Sequence, residues 1–152
     1  MTKSDTIAAL AKALADFQGE LPAAPKTETN PFFRSHYADL ATVWATCRKP
    51  LAKQGLSVSQ LPSVLGEHIT LTTLLMHNSG EWLASELLLT PMREKKDVGW
   101  VPSMDPQSVG SALTYARRYA LCAILGIVAD EDDDAEAAMG RSEITRQAVR
   151  PP

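Results

Sequence analysis

The 152-residue chain has only two cysteines, no apolar stretch approaching the roughly 18 residues that span a bilayer, and no surplus of basic charge. Each shortage excludes something. Cys47 and Cys122 have no metal-type spacing and make no disulfide framework, so a reduced, cytoplasmic chain is expected. Met1 to Asp5 lead straight into an amphipathic pattern without an apolar core or a cleavage signature, which excludes a secretory signal. Fifteen Lys and Arg stand against 18 Asp and Glu, a formal net charge of −3, which excludes a polybasic nucleic-acid binder by bulk charge. Phosphate loops, G-x-G-x-x-G, H-E-x-x-H, C-x-x-C and G-x-S-x-G are all missing. His36, His68 and His77 are scattered over a linker and strand ends and read as loop or surface residues. ATP-driven chemistry has no visible equipment.

The charge that is there is segregated. Residues 1–129 carry twelve basic groups against eleven acidic ones. Residues 130–136 then hold six acids and no base, and residues 137–152 return to net positive. The bases form two clusters, Lys26, Arg34, Arg48, Lys49 and Lys53, then Arg93, Lys95, Lys96, Arg117 and Arg118. Local potential decides whether a polyanion docks, so an acidic total does not exclude nucleic acid.

Hydrophobic periodicity supplies the elements. Ile7, Leu10, Leu14, Phe17 and Leu21 recur at helical steps after Ser4 or Asp5, with a stop near Gly19. This helix is expected on its own domain, with an arm swapped to a neighbour as the alternative. A proline-containing linker fills residues 22–35. A second helical pattern begins at Asp39 and runs through Leu40, Val43, Trp44, Cys47 and Leu51; Pro50 predicts a kink or break, and Gly55 a stop.

Beyond Gly55 the period becomes alternating. Residues 56–60 read as a strand, and residues 68–77 and 81–90 as a hairpin closed by Asn78-Ser79-Gly80. That loop pairs positions summing to 158 and puts Leu75, Leu83, Leu71, Leu87, Ile69 and Leu89 on one greasy face, which demands a cover. Residues 91–106 show no usable period and read as a structureless stretch, functional or disordered. Gln107 to Gly126 is the longest helical pattern. Val109, Leu113, Ala116, Ala120 and Ile124 share the face expected over the sheet. Ser111, Thr114 and Arg118 line up opposite, flanked by Tyr115 and Tyr119. After Arg118 that polar face turns apolar through Leu121, Cys122 and Leu125, which predicts burial inside the domain or in a subunit contact. The fold class expected is α+β: an antiparallel β-β-β sheet covered by a long helix, with an additional N-terminal helical region. One domain over residues 1–136 and a short flexible tail over 137–152 complete the layout.

Two chemistries are open to such residues. The acids of 130–134 could hold Mg²⁺ for phosphodiester cleavage, although no glycine inside the run turns them toward one ion. A solvated acidic segment or a helix N-terminus is the plainer reading. Cations, hydroxyls and rings fall together twice, in Asn30 to Tyr37 and in Ser111, Thr114, Tyr115, Arg117, Arg118 and Tyr119. Single strands are bound by cationic grooves that follow phosphates and rings that stack bases. Arg34, Tyr37, Lys95, Lys96, Ser111, Thr114, Tyr115, Arg117 and Arg118 are therefore the candidate DNA-binding residues. No catalytic residue, metal ligand or cofactor is assigned.

The segments N-P-F-F-R-S-H-Y-A-D-L (30–40), P-L-A-K-Q-G-L-S-V-S-Q (50–60), T-L-L-M-H-N-S-G-E-W (73–82), D-P-Q-S-V-G-S-A-L-T-Y-A-R-R-Y-A-L (105–121) and D-D-D (132–134) together resemble the ERF (essential recombination function) family of phage single-strand annealing proteins. The resemblance runs from about Lys26 to Asp134. It implies a non-enzymatic, ATP-independent protein of homologous recombination that binds single-stranded DNA and anneals complementary strands as a homo-oligomeric ring or filament. It also implies the β-β-β-α core of the eukaryotic strand-annealing mediator. An exonuclease or single-strand-binding protein is the candidate partner, no membrane is involved, and a phage-encoded chain would act in the host cytoplasm. Ala135 follows Asp134 where family members commonly carry glycine, which weakens a turn-based role. Few residues follow Met139, so no extended C-terminal docking region is expected. A metal-dependent nuclease using Asp130, Asp132, Asp133 and Asp134 is the alternative; a scaffold that ignores DNA is another.

Overall fold

The computed structural model describes residues 1–20, 28–29, 36–37 and 39–127, the two short pairs by their backbone alone. The linker expected over residues 22–35 falls largely outside them, as do Arg34, the acidic run 130–136 and the tail after it.

The molecule is α+β. Chain order is β1 (Thr2–Lys3), α1 (Ala8–Glu20), β2 (Glu28–Thr29), β3 (His36–Tyr37), α2 (Leu40–Lys53), β4 (Leu56–Leu65), β5 (His68–His77), β6 (Trp82–Leu89), β7 (Met92–Lys95), β8 (Gly99–Pro102) and α3 (Pro106–Leu125). The main sheet is antiparallel in the order β1-β6-β5-β4; β2-β3 and β7-β8 are separate two-stranded ribbons. In the β5–β6 hairpin Leu75 faces Leu83, Thr73 faces Ser85, Leu71 faces Leu87 and Ile69 faces Leu89, the register the three-residue loop predicts. Gly80 takes the left-handed φ of 89° that closes this loop.

Four expectations need correction. Pro50 does not break α2, which continues through Lys53; only one turn follows the proline, and Leu51 behind it is buried. β4 is twice the predicted strand, ten residues paired with β5 from Leu56↔His77 to Leu65↔His68. Residues 91–106 are not structureless: β7 and β8 pair from Met92↔Pro102 to Lys95↔Gly99. Asp97 and Gly99, both at positive φ, turn that ribbon, and its prolines lie at or beyond its ends, where they hide the strand period. Thr2 and Lys3 add a fourth strand beside β6, fastened where Ser4 accepts from the Trp82 amide at 3.0 Å.

The core gathers Leu10, Ala13 and Phe17 from α1, Val43, Cys47 and Leu51 from α2, Leu56, Leu75, and Leu121 and Leu125 from α3. α1 thus packs on its own domain. Its first turn is capped from across the sheet, the Glu81 carboxylate accepting from the Leu10 amide at 2.8 Å. Asp39 caps α2 by accepting from Thr42, and Gly126 ends α3 in a left-handed cap with Ile127 donating to the Cys122 carbonyl at 2.9 Å. Burial pushes the Cys47 thiol up to about 11, so it packs as an inert apolar group. Leu121 and Leu125 are fully buried inside this domain, which removes them as a subunit contact. α3 packs against α2 as well as against β5 and β6. The buried side chains of α3 are accordingly Ser108, Ala116, Arg118, Leu121 and Leu125, while Val109, Leu113, Ala120 and Ile124 are only half-buried.

Candidate nucleic-acid interface

The exposed side of α3 carries Ser111, Thr114 and Arg117, spaced by three residues and drifting about 60° round the helix at each step. Thr114 returns its hydroxyl to the Gly110 carbonyl at 2.9 Å. Arg117 is held by one partner twice over. The Gln60 amide donates to the Arg117 carbonyl at 2.9 Å, and Arg117 Nε donates to Gln60 Oε1 at 3.3 Å. Gln60 also donates to Thr73, which is completely buried in the middle of β5. Sheet, core hydroxyl and arginine are one hydrogen-bonded unit. A guanidinium has five N–H donors, so one bond at Nε leaves the terminal nitrogens to meet an anion.

Arg118 departs from the expected polar face: it is 7% exposed. Its guanidinium lies 4.8 Å from the centroid of Tyr119 and 5.3 Å from that of Tyr115, within cation–π range. The two rings are 4.4 Å apart and their hydroxyls hydrogen bond at 2.7 Å. Hydrogen bonds from Thr42 hold the Asp39 carboxyl at the start of α2 below its ordinary value, and the nearby Arg118 charge acts weakly in the same direction. α2 packs against α3, and the two tyrosine rings enclose the Arg118 guanidinium. Tyr115 remains 59% exposed.

Lys95 and Lys96 stand exposed at the tip of the β7–β8 ribbon. The ribbon leans on α3, and between them is a cleft of about 260 Å³ lined by Met92, Arg93, Trp100, Asp105 and Ser111 among others. Sequence reasoning missed Trp100, which lay in a stretch with no period to assign it a face. Tyr37 has its backbone paired with Glu28 in β3, and Arg34 lies outside the described residues. The structure thus joins Ser111 to the ribbon's cleft, Arg117 to Gln60, and Tyr115 to Tyr119 and Arg118.

Asp105 caps α3, accepting from the amides of Gln107 and Ser108, both at 3.1 Å, and from the Ser103 and Ser108 hydroxyls at 2.5 and 2.7 Å. The Ser103 bond, then those from Ser108, hold its carboxyl far below the usual carboxylate range. Glu81 is lowered mainly by the Leu10 amide. A depressed folded pKa contributes stability that is complete above the unfolded value near 4 and fades as pH falls through the folded one. Thermal unfolding followed by circular dichroism should therefore show the melting point falling steadily below about pH 4. Asp105→Asn removes one titrating cap and should flatten that fall. An equally steep curve in the variant would deny Asp105 its share.

Among the described residues no group of three or more His, Cys, Asp or Glu is arranged to hold a metal ion. The run 130–136 lies outside them. No helix among the described residues is long and apolar enough to cross a membrane.

The model of the ERF superfamily matches residues 10–151, and the chain is a member of that superfamily. No curated protein and no solved structure shows significant similarity to it.

Proposed function

We propose that this protein binds single-stranded DNA and anneals complementary strands in phage recombination, without ATP and without catalysis, as a ring or filament of identical subunits in the host cytoplasm. The superfamily match over residues 10–151 carries this reading. The β4-β5-β6-α3 order agrees with the β-β-β-α core that the resemblance implies. Lys95, Lys96 and Arg117 are the phosphate contacts, Ser111 and Thr114 line the same helix side, and Tyr115 offers a ring. Arg34 and Tyr37 remain proposed contacts of the preceding segment. Arg118, buried, acts as a positioning residue for the tyrosine pair. Residues 1–136 form the working domain and 137–152 its tail, and a processing exonuclease or single-strand-binding protein is the further partner.

Assembly has support apart from Leu121 and Leu125. Among the described residues the outer edge of β4 is unpaired along ten residues and carries Leu61, Val64 and Leu65, all exposed; β6 leaves Leu87 and Leu88 exposed beyond the short reach of β1. Many protomers with few cations each bind a strand strongly, because contacts along one chain multiply through effective concentration.

Annealing of two labelled complementary oligonucleotides should proceed undiminished in EDTA, and replacing Asp132, Asp133 and Asp134 together by Asn should abolish no strand cleavage. Divalent-dependent cleavage that disappears in the triple variant would overturn the annealer and establish a nuclease.

A further inference from the structure

We propose that Trp100 is a stacking platform for one unpaired base of the bound strand, seated in the cleft between the β7–β8 ribbon and the first turns of α3; this rests on the single-strand binding proposed above. Trp44 packs against the core and Trp82 is half-buried on β6, but Trp100 is 67% exposed. An indole left in water at that level forfeits the burial a ring normally gains, so an occupant that covers it is favoured. The ring is not on a loose loop. Trp100 sits opposite Glu94 in a paired ribbon whose base is tied where the Ser103 amide donates to the Pro91 carbonyl at 2.9 Å, with Pro91 itself buried.

Charge selects what enters. Glu94 and Asp105 line the cleft against Arg93 alone, and Arg93 is already 4.0 Å from Asp105. A phosphate would meet net negative charge there, and the α3 N-terminus is already occupied by the Asp105 cap. A neutral planar ring meets no such penalty. Gln107, Ser111 and Glu94 offer donors and acceptors to its edge. Lys95 and Lys96, at the tip of the same ribbon, are the cations for the phosphates that flank it. The division of labour is that of single-strand binders generally, cations on the backbone and a ring under the base.

The double variant Trp44→Phe, Trp82→Phe leaves Trp100 as the sole tryptophan, excited at wavelengths that tyrosine does not absorb. It should be quenched on titration with an oligo-dT strand and far less by an abasic strand of the same length. Trp100→Ala should weaken oligo-dT binding, read by anisotropy of a labelled strand, about tenfold, with an unchanged salt slope because no charge is lost. Should the double variant fail to fold, the quenching of the wild-type protein minus that of Trp100→Phe reports the same signal. Binding by anisotropy with no Trp100 quenching and no loss in Trp100→Ala would overturn the platform and leave the DNA reading standing. A Trp100→Ala protein with altered assembly mass but unchanged DNA affinity would make the residue a subunit contact instead. No binding of any strand by the wild type would remove both.

Discussion

Exchanging Lys95, Lys96 and Arg117 together for Gln should weaken binding to a single strand about a hundredfold at 0.1 M salt. Each phosphate neutralised on a single strand contributes a slope of about −0.7 in log affinity against log salt. Three contacts give a slope about two units shallower in the variant and, at 0.1 M, about two decades of affinity. The three residues are well suited to the test because the fold does not lean on their charges. Lys95 and Lys96 are exposed beside a ribbon turn, and Arg117 keeps its place through Gln60, which still donates to the backbone carbonyl when the guanidinium is gone. Arg118→Gln makes the contrast. Its guanidinium is enclosed with two rings, so that variant should lose thermal stability and keep the wild-type salt slope. A triple variant with unchanged affinity and slope would move the strand path away from α3 and the ribbon. A shallower slope in Arg118→Gln would show that the buried arginine reaches phosphate after all.

Phe17→Ala should cost about 3–5 kcal/mol of folding stability, a large share of the roughly 5–15 kcal/mol that holds a domain of this size. Phe17 is fully buried among residues of all three helices and the sheet, and no smaller side chain fills that space without collapse of its neighbours. Chemical denaturation with equal slopes for both proteins would give the difference directly. Leu14→Ala, one turn earlier and only partly buried, should cost clearly less. Equal costs, or a Phe17→Ala loss below about 1 kcal/mol, would contradict the placement of α1 on this domain.

Where an element is decided by its own residues, reading the sequence succeeds. The β5–β6 register follows from a loop of three residues and the core-facing positions, because a slip of one residue would turn the buried Ile69, Leu71 and Leu75 away from the core. Gly126, where the helical pattern stops, ends α3 in a left-handed cap bonded to its nearest neighbours. The β7–β8 ribbon defeats the same logic. Its strands are four residues each, too short for a period, and prolines at 91 and 102 read as breaks although they sit at the margins of the pairing. Trp100 went unassigned for that reason. The Thr2–Lys3 strand is equally silent, since two residues carry no pattern and their pairing is chosen by the Trp82 edge they meet.

By itself, then, the sequence determined the hairpin, the span of the long helix, the separation of charge, and membership of a recombination family carried by five ordered blocks. The tertiary structure alone decided which of two adjacent arginines faces solvent. Arg117 and Arg118 differ by about 100° round α3, and nothing local distinguishes them. α2 packs against α3 and Arg118 is enclosed with Tyr115 and Tyr119, whereas Arg117 is turned toward Gln60 on the sheet and stays exposed. Burial is a property of what packs around a side chain: α2, remote in sequence, packs on α3, and Tyr115 and Tyr119 enclose the Arg118 guanidinium.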